Sequence, residues 1–212
     1  MENELRRQRP SADDVFAEAV NRIVEAATAD DEEALTEMLR TDPSLVQPGD
    51  DLVRGHGKVS LLHYAATAGM LSLREFAVAR GADLNARDDS HGLTPLGWAV
   101  VFPEEQHVIA EFLVDRGAQI DIWTATALNK RHTVAELVGA TPGLVHDRLG
   151  TSDWRMQPLH LASWKGHRPV VEELLDRGAD PRSTDEIGTP TQRAEKAGHR
   201  QIARLIREHE NA

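Results

Sequence analysis

The 212-residue chain contains no cysteine, a single tyrosine and no long apolar run. Without cysteine there is no disulfide, no thiolate nucleophile and no thiolate metal site, which suits a reducing compartment. The opening stretch MENELRRQRPSADD is polar and lacks the apolar centre of a secretion signal. Nowhere do apolar residues run to the roughly 18 that a membrane span requires. Equally missing are G-x-S-x-G, a Gly-rich phosphate loop, H-E-x-x-H and an EF-hand loop. The net charge of -11, from 35 Asp and Glu against 24 Lys and Arg, repels a phosphate backbone. The expectation is a cytoplasmic protein with no nucleic-acid or membrane partner, no cofactor and no metal.

Internal repetition is what the sequence has in abundance. SLLHYAATAG from Ser60 returns as LTPLGWAVVF from Leu93, as QPLHLASWKG from Gln157 and, in worn form, as GTPTQRAEKAG from Gly188. Behind three of these openings a second apolar run ends in one type of turn: ARGADLNA, DRGAQIDI and DRGADPRS. Ser60, Thr94 and Thr189 in these openings suit a helix N-cap, and Pro95, Pro158 and Pro190 a first turn. Paired alanines such as Ala65 and Ala66 let two helices approach closely. Gly81, Gly117 and Gly178 supply the positive φ that ends a second helix.

Two further units are disguised, from Ile23 and Ile122. They match each other at an offset of 99, while the units after them match at 97 (Leu62 with Leu159, Gly81 with Gly178), as if a three-repeat block had been copied. This pattern resembles the ankyrin repeat, whose T-P-L-H-x-A signature opens a unit of about 33 residues built from a β-turn and two helices. The resemblance implies an all-α solenoid of five to six stacked helix-turn-helix repeats. Residues 11–212 are then one domain with similar halves at about 15–117 and 118–209, behind a disordered segment 1–10. Two connecting fingers, before Ser60 and before Gln157, are longer than the family's pattern. Such insertions cost a solenoid little and often carry function.

Ten histidines invite a catalytic reading. The resemblance instead gives His63 and His160 backbone bonds between neighbouring fingers, and capping accounts for His167 and His199 at the entries to second helices. His56, His91 and His146 lie in finger loops near Asp50, Asp51, Asp147 and Asp153, where a His–Asp pair would be a candidate general base.

In ankyrin-like stacks the last exposed turn of each first helix lines a concave binding face. Aligning the units puts Val101, Phe102, Leu128, Trp164 and Lys165 there, a middle that is apolar and aromatic between ends that are small or charged. Trp123 opens the fourth unit beside them, Trp154 and Arg155 lie in the long finger that leads to Gln157, and His91 sits in a neighbouring finger. Trp98 takes an inward leucine position and is expected in the core. A Trp-lined groove with a cationic rim is a binding site for a partner protein or peptide, and Lys165 with Arg155 favours an acidic segment. The competing reading is a small-molecule carrier or enzyme whose site lies between the groove and the two long fingers.

Overall fold

The computed structural model describes residues 22, 25–26, 29, 31–41, 60–68, 71–79, 81–89, 91–101, 107–149 and 155–211. The segment 1–10, Phe102, Trp154, His56, Asp50, Asp51 and Asp153 lie outside them.

Helix pairs follow the repeated openings. After α1 (Glu32–Thr41) come α2 (Leu61–Ala68) with α3 (Leu71–Ala79), α4 (Pro95–Val101) with α5 (His107–Asp115), and α6 (Ile122–Ala127) with α7 (Arg131–Ala140). A short 3-10 turn (Pro142–His146) precedes α8 (Pro158–Lys165) with α9 (Arg168–Asp176) and α10 (Pro190–Lys196) with α11 (Arg200–Glu210). Among the described residues there is no strand, only an isolated bridge between Leu149 and Met156.

The local causes are visible at each boundary. Thr94 Oγ1 accepts the Gly97 N–H at 3.1 Å, and Thr189 and Gln192 bond each other's backbone as a reciprocal cap. The fourth unit lost its Thr-Pro opening, yet Asp121 does the same work by accepting the Thr124 N–H at 2.9 Å. Second helices end at Gly81, Gly117 and Gly178, with φ of 83°, 93° and 86°.

First helices pack side by side in the order α2, α4, α6, α8, α10, and behind them α7, α9 and α11 form a second layer. Ala65, Ala99, Ala125, Ala162 and Ala194, one from each first helix, are buried, so backbones approach closely and the core runs as one strip between the layers. Because α4, α6 and α8 are each flanked on both sides by another first helix, only a narrow stripe of each is left to solvent.

Histidines lock the units together. His63 Nδ1 accepts from the Ser60 N–H at 3.2 Å, so its Nε2 is the donor to the Leu93 carbonyl of the next unit at 3.0 Å. His160 repeats both bonds, with Gln157 N–H and the Ser183 carbonyl. Burial pushes both rings below the usual histidine pKa, which keeps them neutral and in this one tautomer.

Behind the first helices, charge is handled less evenly. Arg74 on α3 is buried and lies over the Phe112 ring of α5 at 3.8 Å, with Arg116 over the same ring at 4.4 Å. The Arg74 Nε has no hydrogen-bond partner among the described residues, and burial lowers the pKa of this guanidinium. Glu173, by contrast, is buried between two cations, Arg131 of the preceding unit and Arg177, each at 3.0 Å.

Candidate functional site

Trp164 sits at the C-terminal end of α8, half-buried and packed against the core. Its equivalents at the ends of α4 and α6 are Val101 and Ala127. Both of these are buried, at 0% and 7% exposure, and the comparison explains the tryptophan. A side chain here starts beneath the neighbouring first helices. Valine ends there, whereas the larger indole reaches past them to the surface.

The ring is flanked by cations. Lys165 Nζ lies 5.8 Å from its centroid and Arg193 Cζ, from α10 of the next unit, 6.0 Å. Arg193 is only 4% exposed and fills an inward leucine position, which a cation tolerates only when paired. Its partner is Asp185, a fully buried finger carboxylate, with Arg193 Nε donating at 2.7 Å. Trp164 therefore belongs both to the surface and to the contact between the last two described helix pairs.

The Trp164 carbonyl accepts a bond from His199 Nε2 at 3.1 Å, and the Ala127 carbonyl accepts one from His167 Nε2 at 2.9 Å. These two histidines were expected to cap their own second helices. Neither side chain does so. Each ring instead reaches back one unit and satisfies an orphan carbonyl at the end of a first helix, a cap supplied in trans along the stack.

Of the remaining predicted groove residues, Leu128 is half-buried against the core, Lys165 half-buried and Arg155 exposed. Two expectations are corrected. Val101 is fully buried and Trp123 only 4% exposed, so both are core rather than groove lining, because first helices are covered on two sides by their neighbours. Trp98, expected in the core, is only partly buried, with its indole N–H donated to Asp88 Oδ2 at 2.9 Å.

His91 belongs to the same carboxylate. Its Nδ1 lies 3.2 Å from Asp88 Oδ1, which also accepts the His91 backbone N–H at 2.6 Å, while Oδ2 accepts the Leu93 N–H at 2.9 Å. Burial alone would raise the Asp88 pKa. Donation from the His91 ring, the Trp98 indole and the two backbone N–H groups outweighs it and holds the group at about 2. His91 is thus tied into the finger's own architecture. His146 is exposed, and Asp147 beside it accepts the Arg148 N–H at 3.1 Å.

Sequence reasoning missed the finger carboxylate. Asp88 and Asp185 stand at the offset of 97 that relates the two copies, and each binds the side chain at the inward leucine position of the following first helix, Trp98 in one and Arg193 in the other. The signal was present as an Asp a few residues ahead of Gly-x-Thr-Pro or Gly-Thr-Pro.

The long finger before Gln157 is pinned at its base. Leu149 N–H donates to the Met156 carbonyl at 2.9 Å, both side chains are buried, and Gln157 Nε2 reaches the His146 carbonyl at 3.2 Å. Arg155 takes a left-handed φ of 41°, unusual for a residue with a side chain, next to this closure.

Between the turn joining α8 to α9 and the turn joining α10 to α11 lies an open cleft of about 370 Å³, with Gly166, Arg168, His199 and Arg200 in its lining. Among the described residues no cluster of three His, Asp or Glu is placed to hold a metal ion, and no helix is long and apolar enough to cross a membrane.

Comparison with known proteins places this architecture. The protein described as NF-kappa-B inhibitor cactus from Drosophila yakuba is 35% identical over 79 residues, which is 37% of this chain and 16% of that protein. Its namesake from Drosophila melanogaster is 35% identical over 79 residues, 15% of its length. The matched stretch therefore spans about a sixth of these relatives. The ankyrin-repeat family model matches residues 156–186, the stretch that contains α8, α9 and Trp164. With helix pairs stacked in register through their T-P-L-H histidines, the chain is an all-α ankyrin-repeat protein.

Proposed function

We propose that the chain is a protein-binding module that receives a partner segment along the exposed ends of its first helices, centred on Trp164, with Leu128 and Lys165 beside it. The exposed Arg155 extends the same surface in this reading, while Phe102 and Trp154, which the repeat alignment assigns to the groove, lie outside the described residues. The observation that carries it is Trp164 itself: an indole flanked by Lys165 and Arg193 that reaches solvent where Val101 and Ala127 are covered. A rigid aromatic with cations at its edge supplies large contact area at small entropic cost, the usual character of a binding hot spot. The similarity to a protein described as an inhibitor of NF-kappa-B, itself a role exercised on a partner, supports protein binding as the class. The protein acts in the cytoplasm in this reading.

The small-molecule alternative draws less support. The cleft beside Trp164 is open rather than enclosed, whereas ligand pockets bury most of a small molecule. The one His–Asp pair among the described finger residues has its carboxylate occupied by four donors.

The test is affinity purification of the tagged full chain from cells, with cross-linking mass spectrometry. A directly cross-linked protein lost with both Trp164→Ala and the surface variant Lys165→Glu, at unchanged circular dichroism, is the expected result. A partner retained by both variants would remove Trp164 from the site, and a retained small molecule would replace the reading.

A further inference from the structure

The cleft at the ends of α8 and α10 has a definite physical origin. Gly166 takes φ of 79°, and the His199 ring occupies the space of the side chain it lacks: a Cβ there would stand 2.6 Å from His199 Cε1. The ring is held by its bond to the Trp164 carbonyl, so the floor of the cleft is coupled directly to the proposed binding surface. Arg168 and Arg200, the first residues of α9 and α11, belong to its lining.

The ion-pair pattern around it is uneven. Arg168 pairs with Glu172 at 2.8 Å while staying 57% exposed, Arg204 is taken by Glu208, and Arg207 by Glu195. Arg200 is exposed and enters no ion pair among the described residues. On the larger scale, residues 155–212 carry ten Lys and Arg against nine Asp and Glu, whereas residues 1–154 carry fourteen against twenty-six. The cleft thus lies in a part of an acidic chain where the charge is balanced, and its own lining holds two arginines and no carboxylate. An anion approaching these two arginines meets no opposing carboxylate in the lining.

Resting on the protein-binding reading above, we infer that this cleft receives carboxylate side chains of an acidic segment in the partner protein. Arg200 offers an uncommitted guanidinium, and Arg168 exchanges an exposed intramolecular pair for an intermolecular one. Exposed pairs contribute little to stability, so that exchange is cheap. A volume of about 370 Å³, open on one side, admits one or two Asp or Glu side chains from a segment lying across the two turns. Trp164, two residues before Gly166, then covers the apolar part of the same segment.

The test is selection of a random twelve-residue peptide display library on the full chain, followed by affinity measurement of the enriched peptides at low and high salt. The expected result is enrichment in Asp and Glu, binding that weakens with salt, and a loss of about five- to tenfold in Arg168→Gln/Arg200→Gln with unchanged circular dichroism. Enrichment of apolar or basic peptides, an acidic preference unaffected by the double variant, or no enrichment at all overturns the inference. So does tighter binding of a twelve-nucleotide oligonucleotide than of any peptide, or salt-sensitive dimerisation that the double variant abolishes, since the occupant is then a phosphate backbone or a second copy. Peptides lost with Trp164→Ala but indifferent to the two arginines would leave the binding surface standing and remove only the carboxylate cleft.

Discussion

The finger carboxylate Asp88 offers the sharpest test of how these repeats hold together. Its four acceptor contacts involve two donors at each oxygen, so Asp88→Asn turns an amide N–H₂ against two N–H groups in a site with no exposed side-chain surface. Two lost charge-assisted bonds and a buried clash of donors cost about 3 kcal/mol at neutral pH. The pH dependence follows from the depressed pKa. In the unfolded chain the group titrates near 3.8, in the folded chain at about 2, so the unfolded state binds the proton first as pH falls. The stabilisation is complete above about pH 5, is worth about 2 kcal/mol, and disappears as pH drops through 3.8 towards 2. At about pH 3 roughly half remains, so the wild type loses about 1 kcal/mol on going from neutral pH that the Asn variant does not lose. Urea unfolding of both proteins by far-ultraviolet circular dichroism at about pH 7 and about pH 3 measures this. A difference below about 1 kcal/mol at neutral pH, or a gap between the two proteins that fails to narrow in acid, would refute the assignment of Asp88 as an ionised organiser of its finger.

Two other substitutions probe the contacts between units. Gly166→Ala forces a side chain into left-handed backbone and displaces the His199 ring, with an expected loss of about 2 kcal/mol in thermal or urea unfolding; placing it in a His199→Ala background should recover about half of that, and a fully additive pair would deny the contact. Arg74→Met replaces a buried, partly satisfied cation by an apolar chain that still packs on Phe112, and stability should be unchanged or higher by about 1 kcal/mol; a loss of about 3 kcal/mol would show the Arg74 charge to be essential.

Much of this was legible in the residue pattern because solenoid contacts are local. T-P-L-H announces a cap, a first turn, a core leucine and a histidine that binds the next finger, and His63 and His160 make those bonds because the following unit always arrives at the same distance. The offsets of 97 and 99 likewise announced equivalent positions. What escaped notice were contacts with no fixed spacing within a unit. Asp121 caps a helix whose opening looked lost, since any short acceptor serves there. The rings of His167 and His199 reach back one unit, which a reading of each repeat alone assigns to their own helices.

The sequence by itself determined the helix pairs, their order and their turns, because caps, glycines and apolar periodicity act over a few residues. Only the tertiary structure decided which side chains remain at the surface. Val101 and Trp164 hold the same position in the repeat, and flanking helices cover the smaller completely and the larger in part. The same packing took Trp123 into the core, set Arg193 under Trp164 with Asp185 as its counter-ion, and left Arg200 facing an open cleft. Exposure is a property of what lies alongside a residue in space, and along a stack the neighbours that decide it stand some thirty residues away in the chain, roughly one repeat.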